Sequence, residues 1–370
     1  MKTLLLGDVS PTAFTASFFR ERDLETLFGD AASIFRDRDF TFVNLECALT
    51  EEEKEIKKFG PPLKAPKETA EVLKTLGVDC CGLSNNHVFD YGIDGMLDTL
   101  RALQAAGLDY TGFGKDYEDS RKNYTVEKDG ERIAIIAVCE HEYSYALENR
   151  MGSRPYDEYD TIEDIRAAKQ DHDRVIVIYH GGKEYCQYPS PRLLKLCHAM
   201  ARSGADVILC QHSHCIGTYE QYEGCHILYG QGNFHFVKPD KKRETWHTSL
   251  AVEYDTKTDE MRFIPLKSLE NGIALAKGEE KDAILNSFAA RNQKLESGEW
   301  RREWHAFCEE TKELYVNAIG KAGRPDSTAK ENGLFSHYLD CEAHTDVWRE
   351  LFPSYNLTNE IEEREIEWNF

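Results

Sequence analysis

The chain has 370 residues, 41% hydrophobic and 30% charged, a composition with ample material for a large globular core. Its formal net charge of -21 argues against nucleic acid or an anionic membrane surface as a partner, because like charge repels at long range. No run of about 18 apolar residues is present, so no membrane span is expected, and "MKTLLLGDVS" is too short and too soon acidic for a secretory leader. The eleven cysteines are odd in number and lack a C-x-x-C frame. They read as small core residues of a reduced, cytoplasmic protein.

In chain order, the expected strands are Thr3–Leu6, Phe40–Val43, Val78–Leu83, Ile133–Val138, Val175–Tyr179 and Val207–Cys210. All are apolar on both faces, as strands covered on both sides should be. Amphipathic helices lie between them. "GIDGMLDTLRALQAAG" places Ile93, Met96, Leu97, Leu100 and Leu103 on one face and ends at Gly107. "SPRLLKLCHAMARSG" has Ser190 as its cap and Pro191 in its first turn. The acidic run "EEEKEIKK" (Glu51–Lys58) reads as a solvated loop or helix face. After Val207 strands follow one another in "HILYGQGNFHF", "TSLAVEY" and "MRFIPL". The expectation is an α/β two-sheet sandwich with helices outside, spanning residues 1–270. From about Ala276 the sequence turns charge-rich and helical, which predicts a mostly helical, acidic extension over 271–370 packed on the core.

Polar side chains collect where the strands end. Asp8 follows the first strand, and Asn44 and Glu46 the second. Asn85, Asn86 and His87 follow the third, His180 follows "VIVIY", and His212 and His214 follow "VILC". In α/β sheets that edge is where ligands bind. Each residue alone has an ordinary explanation as a turn cap or a satisfied core histidine, but polar groups recur at five strand ends and capping does not call for three histidines. In an extended backbone His212 and His214 would point the same way, toward one divalent ion. Mixed oxygen and imidazole donors suit zinc, manganese or iron. "GQGNF" reads as a tight turn in which Asn233 makes local backbone bonds.

The order of these motifs resembles the calcineurin-like metallophosphoesterases. More closely, "GDVSP", "VNLECALT", "LSNNHVFDYGIDGMLDTLRALQAAGLDYTGFG", "YHGGKEYCQYPSPRLLKLCHAMARSGADVILCQHSH" and "ILYGQGNFHF" resemble the bacterial capsule-synthesis family, the CapA or poly-γ-glutamate biosynthesis group, with a divergent version of that fold. The resemblance implies Asp8 and His214 on one metal, Asn86, His180 and His212 on another, and Glu46 bridging them. It implies His87 as general acid, with Asn44 and Asn85 orienting ligands through their amides. Lys183, Glu184, Tyr185 and His141 are candidates for contact with substrate. The phosphoesterases begin with Asp-x-His, whereas Asp8-Val9-Ser10 offers no second imidazole, so the first metal has fewer strong ligands.

The function expected is a metal-dependent hydrolase with one or two divalent ions, in which metal-activated water attacks a phosphoester or related small anionic substrate. The alternatives are capsule or poly-γ-glutamate synthesis or trimming by amide hydrolysis, with a polymer-derived substrate, and a non-catalytic, metal-stabilised binding protein.

Overall fold

Each inner strand of this chain has apolar side chains at successive positions, and the computed structural model, which describes residues 1–140 and 142–353, shows where both faces go. The first sheet contains β1 (Lys2–Val9), β2 (Phe40–Leu45), β3 (Cys80–Gly82) and β4 (Asp109–Thr111). The second contains β5 (Tyr124–Lys128), β6 (Glu131–Cys139), β7 (Arg174–His180), β8 (Val207–Gln211), β9 (Tyr219–Tyr222) and β10 (Cys225–Leu228). The short β11 (Asn233–His235), with β12 (Thr248–Asp255), β13 (Glu260–Ser268) and β14 (Ile273–Leu275), returns to the first sheet. Its order is β14-β13-β12-β1-β2-β3-β4, with β11 also on β1. The second runs β9-β10-β8-β7-β6-β5.

Alternation assigns the faces. Leu5, Phe42, Ile135, Ile176, Val207 and Leu209 meet in a cluster between the sheets. Their neighbours Leu4, Leu6 and Val43 pack under helices α1 (Glu68–Leu76) and α2 (Gly92–Ala106). Ile136, Val177 and Ile208 face α3 (Asp160–Asp171) and α4 (Pro191–Arg202). The result is the α-β-β-α sandwich that the strand pattern predicts. Most of these side chains are fully buried, each stabilising the fold by about 1.5–3 kcal/mol relative to exposure.

Four helices follow: α5 (Gly278–Glu296), α6 (Trp300–Lys321), α7 (Ala329–Asp340) and α8 (Glu342–Leu351). Trp304, Tyr315, Tyr338 and Val347 from this segment join the cluster outside the second sheet. All eleven cysteines are buried and none forms a disulfide. No helix among the described residues is long and apolar enough to cross a membrane.

Three expectations need local correction. Ile93 is 52% exposed, because the buried stripe of α2 begins only at Gly95 and Met96. "HILYGQGNFHF" is two strands in different sheets, since the chain crosses over at Gly230–Gly232, where Gly232 takes a φ of 76°. Lys58 does not share the solvation of the acidic run before it, its side chain being 3% exposed.

Candidate metal centre

Register brings the donors together. Asp8 on β1 is opposite both Asn44 on β2 and Asn233 on β11, and Asn44 is opposite Gly82 on β3. Gly7 permits this approach, for a Cβ there would lie 2.1 Å from the Gly232 carbonyl oxygen. In the second sheet His180, the last residue of β7, pairs with Gln211 at the end of β8. The donor ends of the two sheets therefore open on one point.

Two triads form there, Glu46–His180–His212 and Asp8–Glu46–His214. In each, the donor atoms lie within 4.8 Å of one another, and all five residues are buried. Glu46 belongs to both. Neither of its oxygens has a hydrogen-bond partner among the described residues, although Oε1 lies 3.3 Å from His180 Nε2. Burial holds the Glu46 carboxyl above its usual range, and burial together with the Glu46 charge pushes Asp8 up to about 6. Two carboxylates so placed, with no guanidinium or ammonium bonded to them among the described residues, fit a cation shared between them. The donor set, imidazole plus carboxylate, is one a divalent transition ion accepts.

The outer contacts orient these groups. Asn85 Nδ2 donates to Asn44 Oδ1 at 3.2 Å, and Asn44 Nδ2 donates to Asp8 Oδ1 at 2.7 Å. The His212 backbone N–H donates to Asp8 Oδ2 at 3.1 Å. Asn86 Oδ1 lies 3.0 Å from His180 Nε2, beside the first triad. Asn233 does not bond its own turn, because its Oδ1 lies 2.8 Å from His214 Nδ1. A proton held on Nδ1 leaves the Nε2 lone pair of His214 for a ligand.

The extended-strand argument for His212 and His214 is overturned. Strand β8 ends at Gln211, and the two histidines have φ values of 77° and 54°. The left-handed turns separate the rings, whose centroids are 5.9 Å apart, and send one imidazole to each triad. Ser10, where an imidazole is missing, is buried and donates its backbone N–H to His235.

His87 lies beside the triads but in neither. Asp90 Oδ2 is 2.7 Å from its Nδ1, and Lys58 Nζ lies 3.1 Å from the same nitrogen while pairing with Asp90 Oδ1. Burial and the Lys58 charge lower the His87 pKa. Lys183 and Glu184 line the same cavity as Asn86, His87 and His212. Tyr185 instead turns toward Trp246 and accepts from Lys241 Nζ at 2.9 Å. His141 lies outside the described residues.

Lys58, Asp90, Asn233 and Lys238 have no role at the site in the sequence reading. The i, i+3 spacing of His87 and Asp90 was a usable signal for one of them. Lys238 Nζ sits 4.5 Å above the Phe236 ring and 5.3 Å above that of Trp246, and the His214 imidazole packs on both rings.

The model of the bacterial capsule synthesis protein family PGA_cap matches residues 2–238, and the chain belongs to that family. The PGA biosynthesis protein CapA of Bacillus subtilis (strain 168) is 31% identical over 261 residues, 68% of this chain and 67% of that protein. The capsule biosynthesis protein CapA of Bacillus anthracis is 28% identical over 278 residues, 72% of this chain and 67% of that protein. Among solved structures, a hypothetical protein from Thermus thermophilus aligns with a TM-score of 0.44 at 14% identity, over 73% of this chain and 100% of that one. A 5'-nucleotidase from Candida albicans SC5314 aligns with a TM-score of 0.39 at 9% identity, over 94% of this chain and 58% of that one.

Proposed function

We propose that the chain is a metal-dependent hydrolase of a small anionic ester, a phosphoester above all, working with one or two ions of zinc, manganese or iron. The observation that carries this reading is the pair of buried triads sharing Glu46, with His87 held next to them. A divalent ion in such a site supplies Lewis acidity and a more acidic water. Asp8, Glu46, His180, His212 and His214 would hold it, with the Asn86 amide beside His180. Asp90 fixes the His87 ring through Nδ1, and the Nε2 edge is the one that passes a proton to a departing oxygen. Lys183 lends positive charge to the cavity rim of an otherwise acidic protein.

The test is metal analysis of the purified protein followed by turnover of an aryl phosphate. Near-stoichiometric metal, turnover, and a His87→Asn variant that keeps its metal but not its activity support the reading. Metal without hydrolysis of phosphoesters or γ-glutamyl amides overturns it in favour of a binding protein. A second reading, γ-glutamyl amide cleavage in polymer synthesis or trimming, is favoured by the family and by the names of the two Bacillus relatives. Release of glutamate from poly-γ-glutamate, with aryl phosphate untouched, selects it.

A further inference from the structure

The cavity over His87 and His212 is about 260 Å³, and only part of its lining comes from the family-matched region. Its far side is built by α7 and α8, through His337, Tyr338, Ala343 and His344. Resting on the proposed hydrolase reading, we infer that these C-terminal helices form a specificity wall, with His337 as its principal contact. The wall selects a small anionic ligand over the interior of a long polymer.

The wall is made of rings in a fixed stack. His337 stacks against both Phe59 and Tyr143, with centroids at 5.3 and 5.9 Å and planes within 25°. Tyr143 Oη lies 3.4 Å from His337 Nδ1 and accepts the Phe59 backbone N–H at 3.1 Å. His344 packs across His337 at 4.8 Å, its Nδ1 2.5 Å from the Tyr315 hydroxyl. Tyr315 and Tyr338 stack at 4.5 Å and sink into the cluster under the second sheet.

The wall is also tied to the metal side. Arg192 pairs with Asp346 of α8 at 2.9 Å and with Glu140 at 2.8 Å. Glu140 in turn accepts the backbone N–H of Gly182, two residues past His180. One guanidinium thus couples the wall to the loop that follows a metal-site histidine. Both sides are anchored, and the space between them, about 260 Å³, is below the usual range of ligand cavities. That size suits a small ligand or a chain end, whereas an internal polymer unit carries chain on both sides. The imidazoles and Lys183 suit negative charge despite Glu184 in the same lining, Lys58 being already paired with Asp90, and the aromatic faces suit an apolar remainder.

The experiment uses the full chain loaded with Mn²⁺, as wild type, His337→Ala and His337→Phe. Calorimetry with phenylphosphonate, which has no ester bond to cleave, should show affinity weakened about tenfold in both variants, the equivalent of one charge-assisted hydrogen bond, with metal content unchanged. Long poly-γ-glutamate at equal mass should not displace phenylphosphonate from the wild type. An unchanged affinity in both variants, or displacement by the polymer, overturns the wall. A second readout needs neither metal nor substrate, namely the rate at which diethyl pyrocarbonate modifies His87, mapped by mass spectrometry. His337→Ala should raise that rate and His337→Phe, which keeps a ring in the stack, should not; equal rates in all three proteins overturn the wall. If the wild type binds neither Mn²⁺ nor phenylphosphonate, the hydrolase reading fails, and the modification rates decide the wall alone.

Discussion

Asp90 Oδ2 lies 2.7 Å from His87 Nδ1, with both side chains nearly closed to solvent. Such a contact fixes which nitrogen of the imidazole is offered to the cavity. Asp90→Asn keeps the shape but offers an amide in place of a carboxylate. We expect it to lower kcat by roughly 10²-fold or more while metal content by elemental analysis stays at the wild-type level. Loss of metal in this variant would place His87 and Asp90 among the metal-holding groups instead.

Glu46 is the one carboxylate common to both triads. Glu46→Gln should therefore lower total metal content more than His214→Ala, which removes a donor from one triad only. Competition with a chromophoric chelator measures the difference, and equal losses in the two variants would argue that a single triad holds all the metal.

His235 gives a pH effect separate from the metal donors. Its ring sits against Phe19 and Phe28, with centroids at 5.0 and 5.2 Å, and burial depresses its pKa to about 4. The unfolded chain takes up the proton near pH 6.5 and the folded one near 4, so stability is full above 6.5 and falls as the pH drops between the two values. The loss at pH 4 amounts to about 3 kcal/mol. His235→Phe should flatten this slope, read as the difference in urea midpoint between pH 7 and 4.5. A slope as steep as that of the wild type would show that other groups carry it.

Gly7→Ala tests the crossover beside Asp8. The new methyl meets the Gly232 carbonyl, so β11 must move and take Asn233 away from His214. Thermal unfolding of the metal-free protein should shift down by several degrees, equivalent to about 1–3 kcal/mol, and metal affinity should fall as well. A variant with wild-type stability and metal binding would show that the close approach is not required.

Much of this was legible in the sequence, for a physical reason. Strands buried on both faces must be apolar throughout, so Asp8, Glu46, His180, His212 and His214 stand out where each run stops. What pattern could not show was anything set by backbone handedness or by distant segments. The turns at His212 and His214 look like strand continuation until φ is known. Lys58 is hidden by the exposed acids around it, although its side chain folds back to Asp90. Asn233 looks like an ordinary turn residue, because its partner His214 is 19 positions earlier. His337 and His344 belong to a segment more than 120 residues beyond His212, and only the packing of α7 and α8 brings them over the cavity.

The register of Asp8 against Asn44 and Asn233 has a consequence for how the protein matures. A slip of one residue would turn Asp8 to the opposite face, and, although Glu46 follows β2 of the same sheet, the three histidines come from a second sheet that must already be docked. No fragment of the chain holds a competent set, so ion capture is a late checkpoint: it reports that both halves of the sandwich have closed in correct alignment.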